Sequence, residues 1–424
     1  MRNSRLGRRT GRAVFAALSI ALASSALAGC GTVAGSPAAG EIDVRTLAVG
    51  NYPTNPIDVR GAYRHSVSYG RALAVARLSD AVVIGADVGP GFVYTALSQP
   101  STDYAIATAA KPALDRNNMV LAYSASVSDR PRLDTLYFDN SGNASPLGGW
   151  ERDPEATTFN ATVMQFPDEQ RARAAAEEIE SADFDVAPDL NARVTLDKHP
   201  SARAHWRPGV PTLAAIQSRG AYVVSVYVKL PKPELDGLKD LAGKVLDAQF
   251  PLLDQIPPLT QRDILRLDYD PQNMLRRTLH PGDYPYPSKD EVTRTPRGYL
   301  KNVADQGVWK QLLDTNGVDQ TSTTQKGALL FRARDAEAAT TLWSGINALI
   351  PTSTDAPPGV PGVTCAQNPK SSNSSNILAW DYSDRYLCTL HYDRYVARVA
   401  SSQLADAQQR ATAQYALLAK AQYL

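Results

Sequence analysis

Side chains able to do chemistry crowd near the C-terminus, where Asp381, Tyr382, Asp384, Tyr386, His391, Tyr392, Asp393 and Tyr395 fall close together. Read as one extended strand, alternation sends Thr389, His391, Asp393 and Tyr395 to one face and Cys388, Leu390, Tyr392 and Arg394 to the other. An imidazole and a carboxylate two residues apart on one face could pass a proton as an acid-base dyad or grip a polar ligand. His391, Asp393 and Tyr395 are therefore the candidate catalytic residues. The competing reading is a solvated sheet face with cross-strand aromatics, which the preference of tyrosine for strands favours.

Other constellations commit the chain to less. His65, His199, His205 and His280 show no two-histidine helix spacing suited to zinc, and His199 and His205 flank Pro200 in a region that reads as a proline-rich loop. Asp263, Asp268 and Asp270 flank a short apolar run, but Pro271 stands where a calcium loop needs a glycine turn, so a solvated strand end is expected. No Gly-x-Ser-x-Gly elbow occurs. Gly85, Gly89 and Gly91 surround Pro90 without the lysine or serine of a phosphate loop, and read as turn residues. No metal and no cofactor are expected.

The elements that must position these residues come in two copies. Thr162-Val163-Met164-Gln165-Phe166 reads as a strand and residues 168–179 as a helix; Ala328-Leu329-Leu330-Phe331 and the helix opened by Arg334-Asp335-Ala336-Glu337 repeat them. Ser218-Arg219-Gly220 joins two further strands into a hairpin. The second copy is expected to place its hairpin at Ile377-Leu378-Ala379-Trp380, a turn near Ser383-Asp384 and a strand over 386–396. Each hairpin leads into an amphipathic helix, through Leu235, Leu238, Leu241, Val245 and Leu246 in one copy and Leu404, Ala407, Ala411, Tyr415 and Leu418 in the other.

The order strand, helix, strand, strand, helix predicts an α+β fold, in each copy an antiparallel sheet with helices on one face. Ile256-Pro257-Pro258 marks the join, giving a first domain over 41–255 and a second over 260–424. Helical stretches at 71–78 and at 299–303 with 309–313 precede the two cores and match loosely.

The N-terminus speaks of location. Arg2, Arg5, Arg8, Arg9 and Arg12 stand without an acid before an apolar run too short to span a bilayer, and Leu27-Ala28-Gly29-Cys30 closes it in the pattern of a bacterial lipobox. The expectation is a lipoprotein signal peptide over 1–29, cleavage after Gly29 and a diacylated Cys30. Two or three acyl chains would anchor it on the membrane, with a flexible tether over 30–40. The alternatives are an ordinary secretory signal with a coincidental cysteine, or twin-arginine export through Arg8-Arg9.

Losing the signal takes five arginines and no acid, so the net charge moves from +1 to −4, which argues against a nucleic-acid partner. A hydrophobic share of 43% suffices for packed cores. With Cys30 assigned to lipid, only Cys365 and Cys388 remain, and an oxidising compartment pairs them; two free thiols or a metal site near His391 are the alternatives.

The lipobox, Asn51-Tyr52-Pro53-Thr54, Phe166-Pro167-Asp168 and Leu330-Phe331-Arg332-Ala333-Arg334-Asp335 together resemble an uncharacterised actinobacterial lipoprotein family, a domain of unknown function with no catalytic residues to carry over. In layout the repeated unit with a disulfide is also similar to extracellular sensor domains of mycobacterial receptor kinases, which is an analogy of fold. The expected function is a lipid-anchored binding or interaction module on the extracytoplasmic face of the cell membrane. Its partners would be the membrane, through the anchor, and an envelope ligand or protein. The alternatives are an envelope enzyme with its site between the domains, or a carrier sheltering an acyl chain between sheet and helices.

Overall fold

A computed structural model describes residues 42–102, 105–131, 137–138, 144–145, 153–282, 286–325, 327–350, 353–367 and 384–422. The lipobox with Cys30, the tether, the expected strand Ile377-Leu378-Ala379-Trp380, Asp381 and Tyr382 lie outside the described residues.

Strands β1 (Tyr94–Gln99), β2 (Leu121–Ser128), β3 (Thr158–Gln165), β4 (Ala192–Leu196), β5 (His199–Trp206), β6 (Thr212–Arg219) and β7 (Tyr222–Lys229) form an antiparallel sheet in the order β1-β2-β3-β7-β6-β5-β4. Strands β8 (Val292–Arg294), β9 (Gln320–Thr323), β10 (Ala328–Arg332), β11 (Ser353–Thr354), β12 (Val363–Gln367), β13 (Tyr386–Tyr392) and β14 (Tyr395–Ser401) form a second, in the order β8-β9-β10-β14-β13-β12-β11. The second order is the first with each strand number raised by seven.

Among the described residues, the α-helices of five residues or more are α1 (Val67–Asp80), α2 (Lys111–Arg116), α3 (Glu169–Phe184), α4 (Leu235–Leu253), α5 (Gln261–Arg266), α6 (Pro296–Leu300), α7 (Gln306–Thr315), α8 (Ala336–Ala348) and α9 (Leu404–Lys420). They repeat too: α3 and α8 follow the third strand of each sheet, and α4 and α9 follow the seventh.

Local chemistry repeats with the topology. Asp168 caps α3 by accepting from the Arg171 amide at 2.8 Å, and Asp335 caps α8 by accepting from Ala338 at 2.8 Å. Buried Asn117 ends α2 by donating to the Ala113 carbonyl, and Asn316 ends α7 by donating to that of Leu312. The next residue enters the left-handed region in both copies, Asn118 with φ 56° and Gly317 with φ 56°. The partner of α7 is thus α2; the stretch at 71–78 lies in α1, before β1.

Helices cover both faces of each sheet. In the first, Tyr123, Ala161, Val163, Val224 and Val226 face α1 and α4, whereas Ala122, Met164, Ile216 and Val223 face α3 and α2. The expectation of helices on one face is corrected here: β2 and β3 are buried along both rows, the second row with small and hydroxyl side chains such as Ser124, Ser126 and Thr162, and a strand buried on both faces needs two covering layers. In the second sheet Phe331, Leu387 and Val396 pack against Leu342 and Ile346 of α8, while Tyr415 of α9 meets Tyr392 on the other face, ring centroids 5.2 Å apart.

Two further segments differ from expectation. Residues 386–396 are the hairpin β13–β14, bent at Asp393 with φ 48°, and His199 and His205 lie on β5 instead of in a loop. Residues from Val44 onward form one compact unit. The halves are stitched by Thr95 N donating to Ala304 O at 2.9 Å and Gln306 N donating to Val93 O at 2.7 Å. The buried Gln306 amide also accepts from Gly85 N and donates to Thr95 Oγ1, each at 2.9 Å. Cys365 and Cys388 are direct neighbours across β12 and β13, joined as a disulfide.

Candidate functional site

The three sequence candidates do not converge. His391 lies on the α8 face of β13, its ring centroid 5.0 Å from that of Trp343, and burial pushes its pKa down. Asp393 is exposed at the hairpin turn. Tyr395 pairs with Tyr392 and therefore faces the α9 side, with the Arg277 guanidinium 5.7 Å above its ring. The turn at Asp393 breaks the alternation that would have put all three on one face.

Three of the other histidines meet carboxylates. His199 meets Asp247 at 2.9 Å, His205 lies 3.5 Å from Glu180 and 3.7 Å from Asp183, and His280 Nε2 meets the buried Glu291 carboxylate at 2.9 Å. Burial raises Glu180, but hydrogen bonds to His205 and Arg193 outweigh it and hold the carboxyl below its ordinary value. Asp263 belongs to a capping box with Thr260 at the start of α5, and Asp270 accepts from the amides of Met274, Leu275 and Arg276. Asp263 is thus held by its capping partner and Asp270 by local backbone.

The concave feature of interest lies where the halves meet. A cavity of about 570 Å³ is walled by Ala72, Val75 and Ser79 of α1, by Ser98 and Tyr123 of the first sheet's edge, and by Lys289, Asp290 and Arg294 from the second half. A second, about 910 Å³, is walled by the second sheet and the start of α9, including Leu329, Asp384, Arg398, Asp406 and Arg410. They share Lys289, Asp290, Arg294 and Asn302 as a common partition; the smaller is lined by both halves and the larger by the second half alone.

Behind that partition stands a buried charged network. Burial drives Asp80 upward against hydrogen bonding from Thr295 and the charge of Lys301; the Thr295 amide donates to its carboxylate at 3.2 Å. Lys301 is fully buried, and desolvation plus the neighbouring Arg297 charge lower its pKa; its Nζ donates to the Arg297 carbonyl at 3.2 Å. Arg294 donates to the Lys289 carbonyl at 2.6 Å and Thr323 Oγ1 at 3.5 Å, and burial lowers its pKa too. Tyr123 is pushed up to about 12 by burial. In the larger chamber Arg398, 5% exposed, lies with its guanidinium 5.5 Å over the Trp309 ring beside Tyr299.

Such burial of titratable groups beside a cleft is the pattern expected of a binding site, and ion-pair networks of purely structural purpose share it. Sequence reasoning missed Asp80, Tyr123, Arg294, Lys301 and Arg398. One signal was readable: Arg398 interrupts Tyr395-Val396-Ala397 and Val399-Ala400, a charge inside an apolar strand. Among the described residues no cluster of three or more His, Cys, Asp and Glu is arranged to hold a metal, and no helix is long and apolar enough to cross a membrane.

Comparison with known proteins gives two family matches. Residues 62–269 match the N-terminal part of a domain of unknown function, DUF7373, and residues 274–421 match its C-terminal part. Among solved structures, the extracellular domain of PknH from Mycobacterium tuberculosis is similar over 42% of this chain and 95% of its own, at 14% identity and a TM-score of 0.27. The sequence matches no curated relative.

Proposed function

The chain belongs to the DUF7373 family, and on that premise we propose that it is a lipid-anchored binding module on the extracytoplasmic face of the cell membrane, with its ligand site in the cleft between the halves. The observation that carries the binding reading is the cavity of about 570 Å³ lined by both halves, which shares Lys289, Asp290, Arg294 and Asn302 with the chamber of about 910 Å³ in the second half. Their size suits a small molecule, and a crevice between repeated units is a common ligand location. The separation of His391, Asp393 and Tyr395 removes the motive for an acid-base enzyme at that hairpin.

The address rests on Leu27-Ala28-Gly29-Cys30 behind an arginine-rich start. Acyl chains on Cys30 would hold the body at the membrane surface. The test has two arms. Fractionation of the native host should find the chain in the membrane pellet and its Cys30→Ser variant released; equal release of both would refute the anchor. Ala72→Trp, which fills the smaller chamber, should abolish retention of any ligand recovered with the intact chain; unchanged retention would place the ligand elsewhere.

A further inference from the structure

Two polar atoms on the wall of the smaller chamber are buried without a hydrogen-bond partner: Ser98 Oγ and Arg294 Nε. A buried donor left unmade costs about 1–3 kcal/mol, and both atoms belong to residues that line the chamber. The chamber's charge is lopsided. Arg71, Lys289 and Arg294 line it against a single carboxylate, Asp290. Behind the wall, the Asp80 carboxylate stands beside two basic side chains, Lys301 and Arg294. Hydroxyls complete the lining, from Ser98 and Tyr123 among others.

We propose that the smaller chamber binds a compact oxyanion, a phosphate or carboxylate group, with the half-buried Arg294 as the anchor, Arg71 and Lys289 as cations at the mouth, and Ser98 Oγ as a neutral donor. This rests on the reading of the cleft as the ligand site and adds the ligand's chemistry. The planar fork of an arginine matches two oxygens of such a group, whereas a mobile lysine supplies a point charge. Arg71 and Lys289 are exposed, so they draw the anion in without meeting the full cost of burial.

The test uses the full-length chain carrying Cys30→Ser, so that no acyl group enters the titration. Calorimetry at low ionic strength would compare inorganic pyrophosphate and citrate with glucose as a neutral control. It would also compare monomeric dihexanoylphosphatidylglycerol with its phosphatidylcholine counterpart, to separate a free anion from a lipid headgroup. The expected result is saturable binding of at least one anion and none of glucose, weakened by added salt.

Arg71→Gln and Lys289→Gln, both at exposed positions, should each weaken that binding about threefold to tenfold, and Arg294→Gln by about thirtyfold or more. Anion binding unmoved by all three substitutions, or no anion bound at millimolar concentration, overturns the proposal. Should glucose bind instead and Ala72→Trp abolish it, the cleft stands and the anion class falls. Ligand binding of any class that is indifferent to Ala72→Trp sinks the cleft reading itself.

Discussion

Gly298 lies so close to Asp80 that a Cβ built on it would stand 2.1 Å from the carboxylate Oδ1, with Arg294 Cβ and Ser79 Oγ each at 3.2 Å. The start of α6 in the second half is thus seated directly on the C-terminal end of α1 in the first, around the half-buried Asp80 carboxylate. Gly298→Ala should therefore destabilise the protein by about 1–3 kcal/mol through overpacking. Urea denaturation measures it. A shift within error would mean that the two helices slide apart freely and that the partition of the cleft is soft.

A second contact of the same region carries a pH dependence. Burial opposes charge on His280, but its hydrogen bonds to Glu291 and the Gly282 carbonyl outweigh that, and the pKa stands above 6.5. A histidine with a higher pKa folded than unfolded contributes stability that is complete below about pH 6.5 and fades as pH rises through the folded value. The gap in unfolding free energy between wild type and His280→Gln should accordingly be widest in mild acid and narrow toward pH 8. A gap constant from pH 5 to 8 would show that the pair is not ionic.

The α+β class and the duplication were legible because they rest on repeated local signals, such as the aspartate that opens α3 and α8. The disulfide was legible by elimination. The second hairpin was not, because its turn lacks the glycine that announced the first: Gly220 takes φ 55° where the second copy uses Asp393 at φ 48°. The match of α2 to α7 was available in Leu114-Asp115-Arg116-Asn117 and Leu313-Asp314-Thr315-Asn316, whose buried asparagines close both helices. The cleft is different in kind. Asp80 and Arg294 are separated by more than half the chain's length, and only the docking of the two halves decides that they share a wall.

Cys365 and Cys388 are 1% and 0% exposed and close a loop of 23 positions. On the chain-entropy model the cross-link is worth about 3 kcal/mol. Replacing both by alanine should lower stability by about that amount in urea titrations without changing the far-ultraviolet dichroism. Because both sulfurs are covered, reduction by dithiothreitol should track global unfolding. Rapid reduction under native conditions would instead show that β12 opens locally from β13.

The segment Asn51-Tyr52-Pro53-Thr54, which leads from the N-terminal region into the fold, is tied to the C-terminal helix. The Tyr52 hydroxyl donates to Asp406 at 2.5 Å and accepts from Arg410 Nε at 2.9 Å, while Lys420 donates to Thr54 Oγ1 at 2.7 Å. Asp406 and Arg410 also wall the larger chamber, so this strap is bolted to the side of the cleft. Losing one hydroxyl that serves two charged partners should cost about 1–3 kcal/mol. Tyr52→Phe should therefore speed amide exchange along residues 49–55 and leave the two sheets as protected as before. Asp406 keeps its bonds to Ser401 and Arg410 in that variant, which confines the effect to the strap. Exchange that quickens throughout α9 and β14 as well would mean that the strap holds the second sheet together; exchange that does not quicken at all would mean that the two hydroxyl bonds add nothing to its docking.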